Sequence, residues 1–261
     1  MNGWKHNNDR RCREQMHDQP WGRDMMANDQ GQPPHGTKHG LLLAVMIPVA
    51  RSSVIGVLLF VVAGTLDWWQ GWLLLFVFLA VNLVFVPYLW HVNPDLLVAR
   101  SGFRFVKRWD KILVCFMISS LVAILVVAAL DSGRFHWLPV PWWACAVGYV
   151  LFLFTVWLGT WAATVNKFAE GPVRIQTERG HKVIDTGPYA IVRHPGYVSA
   201  MPLSAAIALC LGSVWALIPA GLASALLVLR TQWEDQTLQA ELPGYKEYTQ
   251  RVRYRLVPGV W

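Results

Sequence analysis

Two stretches of the sequence gather the side chains able to do chemistry. The first ends in Val192-Arg193-His194-Pro195, where Pro195 fixes its own φ and biases His194 away from helix, so a helix starting at Pro195 is predicted. Arg193 and His194 then stand at the entrance of that helix. Amide groups there favour an anion, and the Arg193 guanidinium can grip a carboxylate through two parallel hydrogen bonds. A basic, aromatic anchor at a membrane surface has the same composition, and residue types alone leave both readings open. The second stretch is Arg230-Thr231-Gln232-Trp233-Glu234-Asp235. On a helix, Arg230 and Glu234 share a face at i and i+4. They read either as an interfacial ion pair or, with Asp235, as neighbouring carboxylates that await a cation.

The elements that position these groups are apolar. Segment 41–66 is interrupted only by Arg51, Ser52 and Ser53, while segments 72–90, 112–130 and 137–165 carry no charge. Each has about the 20 residues that cross a hydrocarbon layer of roughly 30 Å. Four transmembrane helices are predicted, the first starting as late as Ser53 because Pro48 and Arg51 break its pattern. The run from Tyr197 to Leu229 would be roughly 50 Å long as one helix, more than a crossing needs. Gly212-Ser213 near its middle predicts a turn between two antiparallel helices, about 198–211 and 214–230. Such a hairpin, spanning 197–230, brings the two polar stretches to one membrane face. The fold class is thus all-α: a polytopic membrane helical bundle of four transmembrane helices plus a C-terminal membrane hairpin. The expected division is a flexible tail at 1–40, the four helices at 41–165, and a binding and catalytic region at 166–261.

Composition agrees. Of 261 residues, 54% are apolar and only 15% charged, against about 25% charge in soluble globular chains. The net charge of +7 follows topology rather than a nucleic-acid partner. Arg100, Arg104, Lys107, Arg108 and Lys111 fill the connection 91–111, and further Lys and Arg fill 166–195 and the stretch after Arg230. The connections 67–71 and 131–136 hold only Arg134. The positive-inside rule then puts both termini in the cytoplasm of an integral membrane protein, in a bacterial inner membrane or its equivalent. Trp68, Trp69, Trp72, Trp137, Trp142 and Trp143 fit an aromatic belt at the opposite interface. Cys12, Cys115, Cys145 and Cys210 show no CxxC pair and the tail His residues no ligand spacing, so neither a disulfide framework nor a metal site is expected.

Several motifs occur in a telling order: Gly187-Pro188-Tyr189, Val192-Arg193-His194-Pro195-x-Tyr197, Gly212-Ser213, Glu234-Asp235-x-x-Leu238, and Tyr245-x-x-Tyr248-x-x-Arg251-Val252 before Pro258-Gly259. In this order they resemble the integral-membrane methyltransferases related to isoprenylcysteine carboxyl methyltransferase and phospholipid methyltransferase. The likeness covers about residues 160–261, with a weaker one around Asp67-Trp68-Trp69-Gln70-Gly71-Trp72. The resemblance implies methyl transfer from S-adenosylmethionine at the cytoplasmic face to a lipophilic or small acceptor reached from the lipid bilayer. It also implies that Gly187, Pro188, Tyr189, Arg193, His194, Pro195, Tyr197, Glu234 and Asp235 bind the cofactor, and that Arg230 and Glu234 are catalytic. Under that reading Arg193, or the amides after His194, takes the cofactor carboxylate, Glu234 or Asp235 its ammonium, and Tyr189 or Tyr197 its sulfonium or adenine. The chain departs from the family pattern at Ser199, where a glycine is usual, and at Asp235, where a second glutamate is usual. A non-catalytic protein of the same fold is the main alternative. A transporter is disfavoured because Arg51 is the sole ionisable residue within the helices.

Overall fold

The computed structural model describes residues 37–101 and 106–261. The tail reading of residues 1–36, and Cys12 with it, lies outside the described residues. Within them the fold is all-helical. Helix α1 is Thr37–Ala63, α2 is Trp69–Val92, and the short α3, Pro94–Ser101, follows it. Helix α4, Arg108–Ala128, runs on into a π-helical turn, Ala129–Phe135, and α5 is Trp142–Val165. Two 3₁₀ turns, Thr177–Arg179 and Gly187–Ala190, punctuate the segment that leads to α6, Pro195–Cys210. Helix α7 is Leu217–Glu241 and α8 is Tyr245–Arg251.

Among the described residues, four helical stretches are long and apolar enough to cross a membrane: Met46–Ala63, Trp69–Val92, Arg108–Phe135 and Trp142–Val165. Pro48 and Arg51, which break the pattern of the first, do not interrupt helix α1. The hairpin is present, and its second arm is longer than predicted. Helix α7 passes Arg230 and ends at Glu241, so Arg230, Glu234 and Asp235 ride on one continuous helix. Its turn is held at Gly212, whose φ of +71° is open to glycine and strained for other residues. A Cβ there would come within 3.2 Å of Ser132 Oγ and 3.4 Å of Gln70 Nε2. The turn therefore rests on the start of α2 and the π-helical turn after α4, and the hairpin reaches the end of the bundle opposite the polar segments. Buried Ser213 donates to Asp131 Oδ2 (2.6 Å) and accepts the Ala216 amide (3.1 Å), which caps the approach to α7.

One member of the expected aromatic belt is misplaced. Trp69, Trp72, Trp137, Trp142 and Trp143 are exposed, but Trp68 is only 3% exposed. Its indole donates to Ser132 Oγ (3.1 Å) and its ring fills the space over Gly71 and Gly133. Two glycines with no side chains make a slot in which the largest side chain is better buried than left at the interface.

Helices α5 and α6 approach closely because small residues line their seam, the usual solution where lipid removes any hydrophobic drive for helices to associate. A Cβ at Gly148 would lie 2.7 Å from the Cys210 amide nitrogen, and one at Gly159 would lie 2.9 Å from Ser199 Oγ. Ser199 thus packs into the place that Gly159 leaves empty on the partner helix. Its hydroxyl donates back to Gly196 O (2.9 Å), so the departure from the family's glycine is absorbed locally.

Candidate functional site

The segment after α5, the start of α6, the end of α7 and helix α8 enclose a cavity of about 310 Å³. That is at the lower end of the usual range for small-molecule pockets. Its lining changes character along its length. Arg100, Glu170, Arg174, His181 and Lys182 make one side polar, whereas Met117, Ala200 and Leu227, which lie inside the apolar helices, make the other side hydrophobic.

Of the residues singled out in the sequence, Tyr189, Arg193, His194, Tyr197, Arg230 and Glu234 line this cavity. Gly187, Pro188, Pro195 and Asp235 stand behind it. Gly187 serves the turn: its φ is +57°, and a Cβ would press on Val165 at 3.3 Å. Pro188 and Pro195 are buried at the starts of the second 3₁₀ turn and of α6.

Asp235 departs most from its expected role, because its carboxylate is fully buried and already saturated. Arg193 donates to it from Nε (2.8 Å) and Nη2 (3.1 Å), Arg255 from Nε (2.9 Å), Gln239 from Nε2 (2.8 Å) and Tyr245 from its hydroxyl (3.1 Å). The His194 Nε2 lies 3.3 Å away as well. A carboxylate offers about four acceptor positions, so none is left for a ligand. Burial alone would raise its pKa, but the hydrogen bonds from His194, Arg193 and Arg255 outweigh that and hold it far below the ordinary carboxylate range. The same accounting revises Arg193. Its Nη1 donates to Val252 O (2.9 Å) and Arg253 O (2.7 Å), so four of its five N–H groups are committed inside the protein. Arg193 and Asp235 form the internal joint of the site rather than its ligand-binding surface. The backbone adds to the joint, with the amides of Arg193 and His194 donating to Tyr254 O and Arg255 O.

Of the adjacent pair, Glu234 is the carboxylate that faces the cavity, with its side chain 22% exposed. The Tyr197 hydroxyl donates to it, and His194 Nδ1 lies 3.9 Å from its other oxygen. The predicted Arg230–Glu234 ion pair is not formed. Arg230 instead donates from Nε to Asp110 Oδ1 (2.9 Å) and from Nη2 to Gly171 O, with its guanidinium 5.5 Å from the Tyr197 ring centroid. Tyr189 is buried, accepts a hydrogen bond at its carbonyl from Tyr248 (2.7 Å), and has its phenol pushed up to about 12 by burial.

Other contributors were not expected. Asp110 is a single acid in a basic stretch, with no spacing that ties it to Arg230. His181 lines the polar side, its ring stacked on Phe168 at 4.5 Å and its Nδ1 accepting the Gln176 amide (3.3 Å). Burial lowers its pKa, so the ring is neutral at pH 7, and that hydrogen bond puts its proton on Nε2. Gly196 lines the cavity too, and a Cβ there would meet nothing within 4 Å. Tyr245 and Arg255 had been read as parts of a motif and of a basic stretch, and their shared grip on Asp235 had no signal in the spacing.

Residues 143–242 match the phospholipid methyltransferase family. The match bears out the kinship with membrane methyltransferases that the motifs carry. It takes in α5, the hairpin and both polar segments that wall the cavity. Helices α1 to α4, with Asp110, and the stretch that brings Arg255 lie outside the phospholipid methyltransferase match. No curated protein matches the chain.

Proposed function

We propose that the protein transfers a methyl group from S-adenosylmethionine to a lipophilic acceptor at the cytoplasmic face of its membrane. The observation that supports this most is the cavity itself. Most of its lining lies within the region matched by a methyltransferase family, and it is polar toward the loop segments and apolar toward the bilayer. A polar, zwitterionic cofactor suits the first side and a lipid-soluble acceptor the second. The residues fit the cofactor: Glu234 is the open carboxylate for its ammonium, neutral His181 offers one N–H to an acceptor atom, and the bare Cα of Gly196 leaves room against the start of α6. Arg193 fits a cofactor carboxylate poorly, and the Gly196 amide serves that role better, since Pro195 has no N–H and the Tyr197 and Val198 amides donate to His194 O.

When bound, the cofactor supplies a methyl group on a sulfonium cation, which an acceptor takes by in-line displacement. The protein's part is to position and to exclude water. Tyr197, fixed by its hydroxyl on Glu234 and stacked on His194 (5.7 Å between centroids), presents its ring where polar and apolar sides meet. An aromatic face there favours a cation. An anionic acceptor reacts without a base, whereas an ammonium acceptor must first lose a proton to Glu234 or His194.

Calorimetric titration of the full chain in detergent with S-adenosylmethionine tests the reading, and no binding by the wild type would end it. Glu234→Ala is expected to weaken binding roughly tenfold or more, for a lost charge-assisted contact of about 1.5–3 kcal/mol. Wild-type affinity in that variant would move the ammonium site elsewhere. Orientation is tested separately, on intact cells with a membrane-impermeant maleimide. A cysteine at exposed Leu138 should react, and one at exposed Lys246 should react only after lysis. The opposite pattern would invert the topology and move the cavity to the outer face.

A further inference from the structure

The charged residues at the start of α4 are basic apart from one. Among Lys107, Arg108 and Lys111, Asp110 is fully buried and holds two other elements at once. Its Oδ1 accepts from Arg230 Nε on α7 (2.9 Å), and its Oδ2 accepts from the Val173 amide (2.8 Å). Arg230 completes the latch by donating from Nη2 to Gly171 O. The short strap Gly171–Val173, which lines the cavity, is thereby stitched to α4 at one end and to α7 at the other.

Arg230 stands at the seam of the cavity. Leu227, one turn before it, is on the apolar side, and Glu234, one turn after it, reaches the polar side. Its Nε and Nη2 are committed to Asp110 and Gly171, and among the described residues no hydrogen bond engages Nη1. A guanidinium held at two of its nitrogens has a fixed plane, so the third is presented in one direction. A buried cation beside the seat of a sulfonium would also repel it unless a buried anion offsets the charge.

We propose that Asp110 is a positioning residue of the methyl-transfer site: it fixes the Arg230 guanidinium so that Nη1 faces the reacting groups, and its charge lets that cation sit beside a cationic cofactor. This rests on the function proposed above. It also makes α4, outside the matched region, a working part of the site.

The test compares a cationic with an uncharged ligand, S-adenosylmethionine and S-adenosylhomocysteine, by calorimetry on the full chain in lipid nanodiscs. Asp110→Asn is expected to weaken S-adenosylmethionine at least fivefold while changing S-adenosylhomocysteine less than twofold. In the double variant with Arg230→Gln the ratio should return to within twofold of wild type, because both charges are gone. Asp110→Glu should keep at least half of the wild-type discrimination. Should Asp110→Asn not fold, the Glu variant and Arg230→Gln carry the test, the latter being expected to favour S-adenosylmethionine by at least threefold. An unchanged ratio, or equal losses for both ligands, would overturn the proposal and leave Asp110 a structural residue. A wild-type protein that binds neither ligand would instead sink the methyltransferase reading, and this inference with it.

Discussion

Asp235→Asn is expected to destabilise the protein by about 3–5 kcal/mol, the usual result of removing one partner from a buried ion pair. The asparagine would fill the same space but leave Arg193, itself buried, with its charge unmatched, and would turn an N–H toward donors that all need an acceptor. Arg255, Gln239 and Tyr245 would lose partners in the same step. Glu234→Gln, one residue away, is the control: its side chain is partly exposed and carries no such network, so its stability should stay within about 1 kcal/mol of wild type. The pH dependence has a definite sign. The folded pKa of Asp235 is depressed, so its contribution is fully present above the unfolded value of about 3.9 and is lost only as pH falls through the lower folded value. Thermal unfolding in detergent at pH 7 and at about pH 3, below the unfolded value, measures both effects. An Asp235→Asn protein as stable as Glu234→Gln would mean that the network is not holding the site together.

Replacing Gly148 by valine is expected to be nearly as damaging, and far from the cavity. Its Cβ would sit 2.7 Å from a backbone nitrogen of α6, and backbone cannot turn aside as a flexible side chain can. Overpacking of this kind costs about 1–3 kcal/mol or more. Helix α6 carries His194 at its entrance and Tyr197 in its first turn, so a displaced helix should lower cofactor affinity as well as stability. Gly221→Val serves as a comparison, since a Cβ there meets nothing within 4 Å. Equal unfolding temperatures for the two variants would show that the α5–α6 seam tolerates separation.

What could be read from the sequence and what could not divide along physical lines. Apolar runs of bilayer length, three of them charge-free, gave the four spans, and excess length with Gly212 near its middle gave the hairpin, because both signals are local. The order of the motifs led to the methyltransferase family, and the hairpin brought Arg193 and Glu234 to one end of the bundle. The partners of the charged groups were not legible. Arg230 and Glu234 at i and i+4 looked like a pair, yet a carboxylate 120 positions away in sequence took the arginine, since burial of Asp110 demanded a cation and Glu234 had Tyr197. Adjacent carboxylates in sequence also point about 100° apart around a helix. Glu234 therefore reaches the cavity while Asp235 turns into the protein. Trp68 looked interfacial because Gly133, which with nearby Gly71 makes room for its ring, lies far away in sequence.

The joint around Arg193 bears on the order in which the protein can be made. Helices α1 to α5 leave the ribosome and reach the bilayer while the acceptors of Arg193 and its neighbouring amides, the carbonyls of Val252 to Arg255, are still untranslated. Until then Arg193 has only Asp235, which already has Gln239 and Tyr245 but not Arg255. The pocket is therefore completed by residues synthesised after the four candidate spans and the hairpin, and a nascent chain stalled before Val252 would carry those helices with an unfinished site.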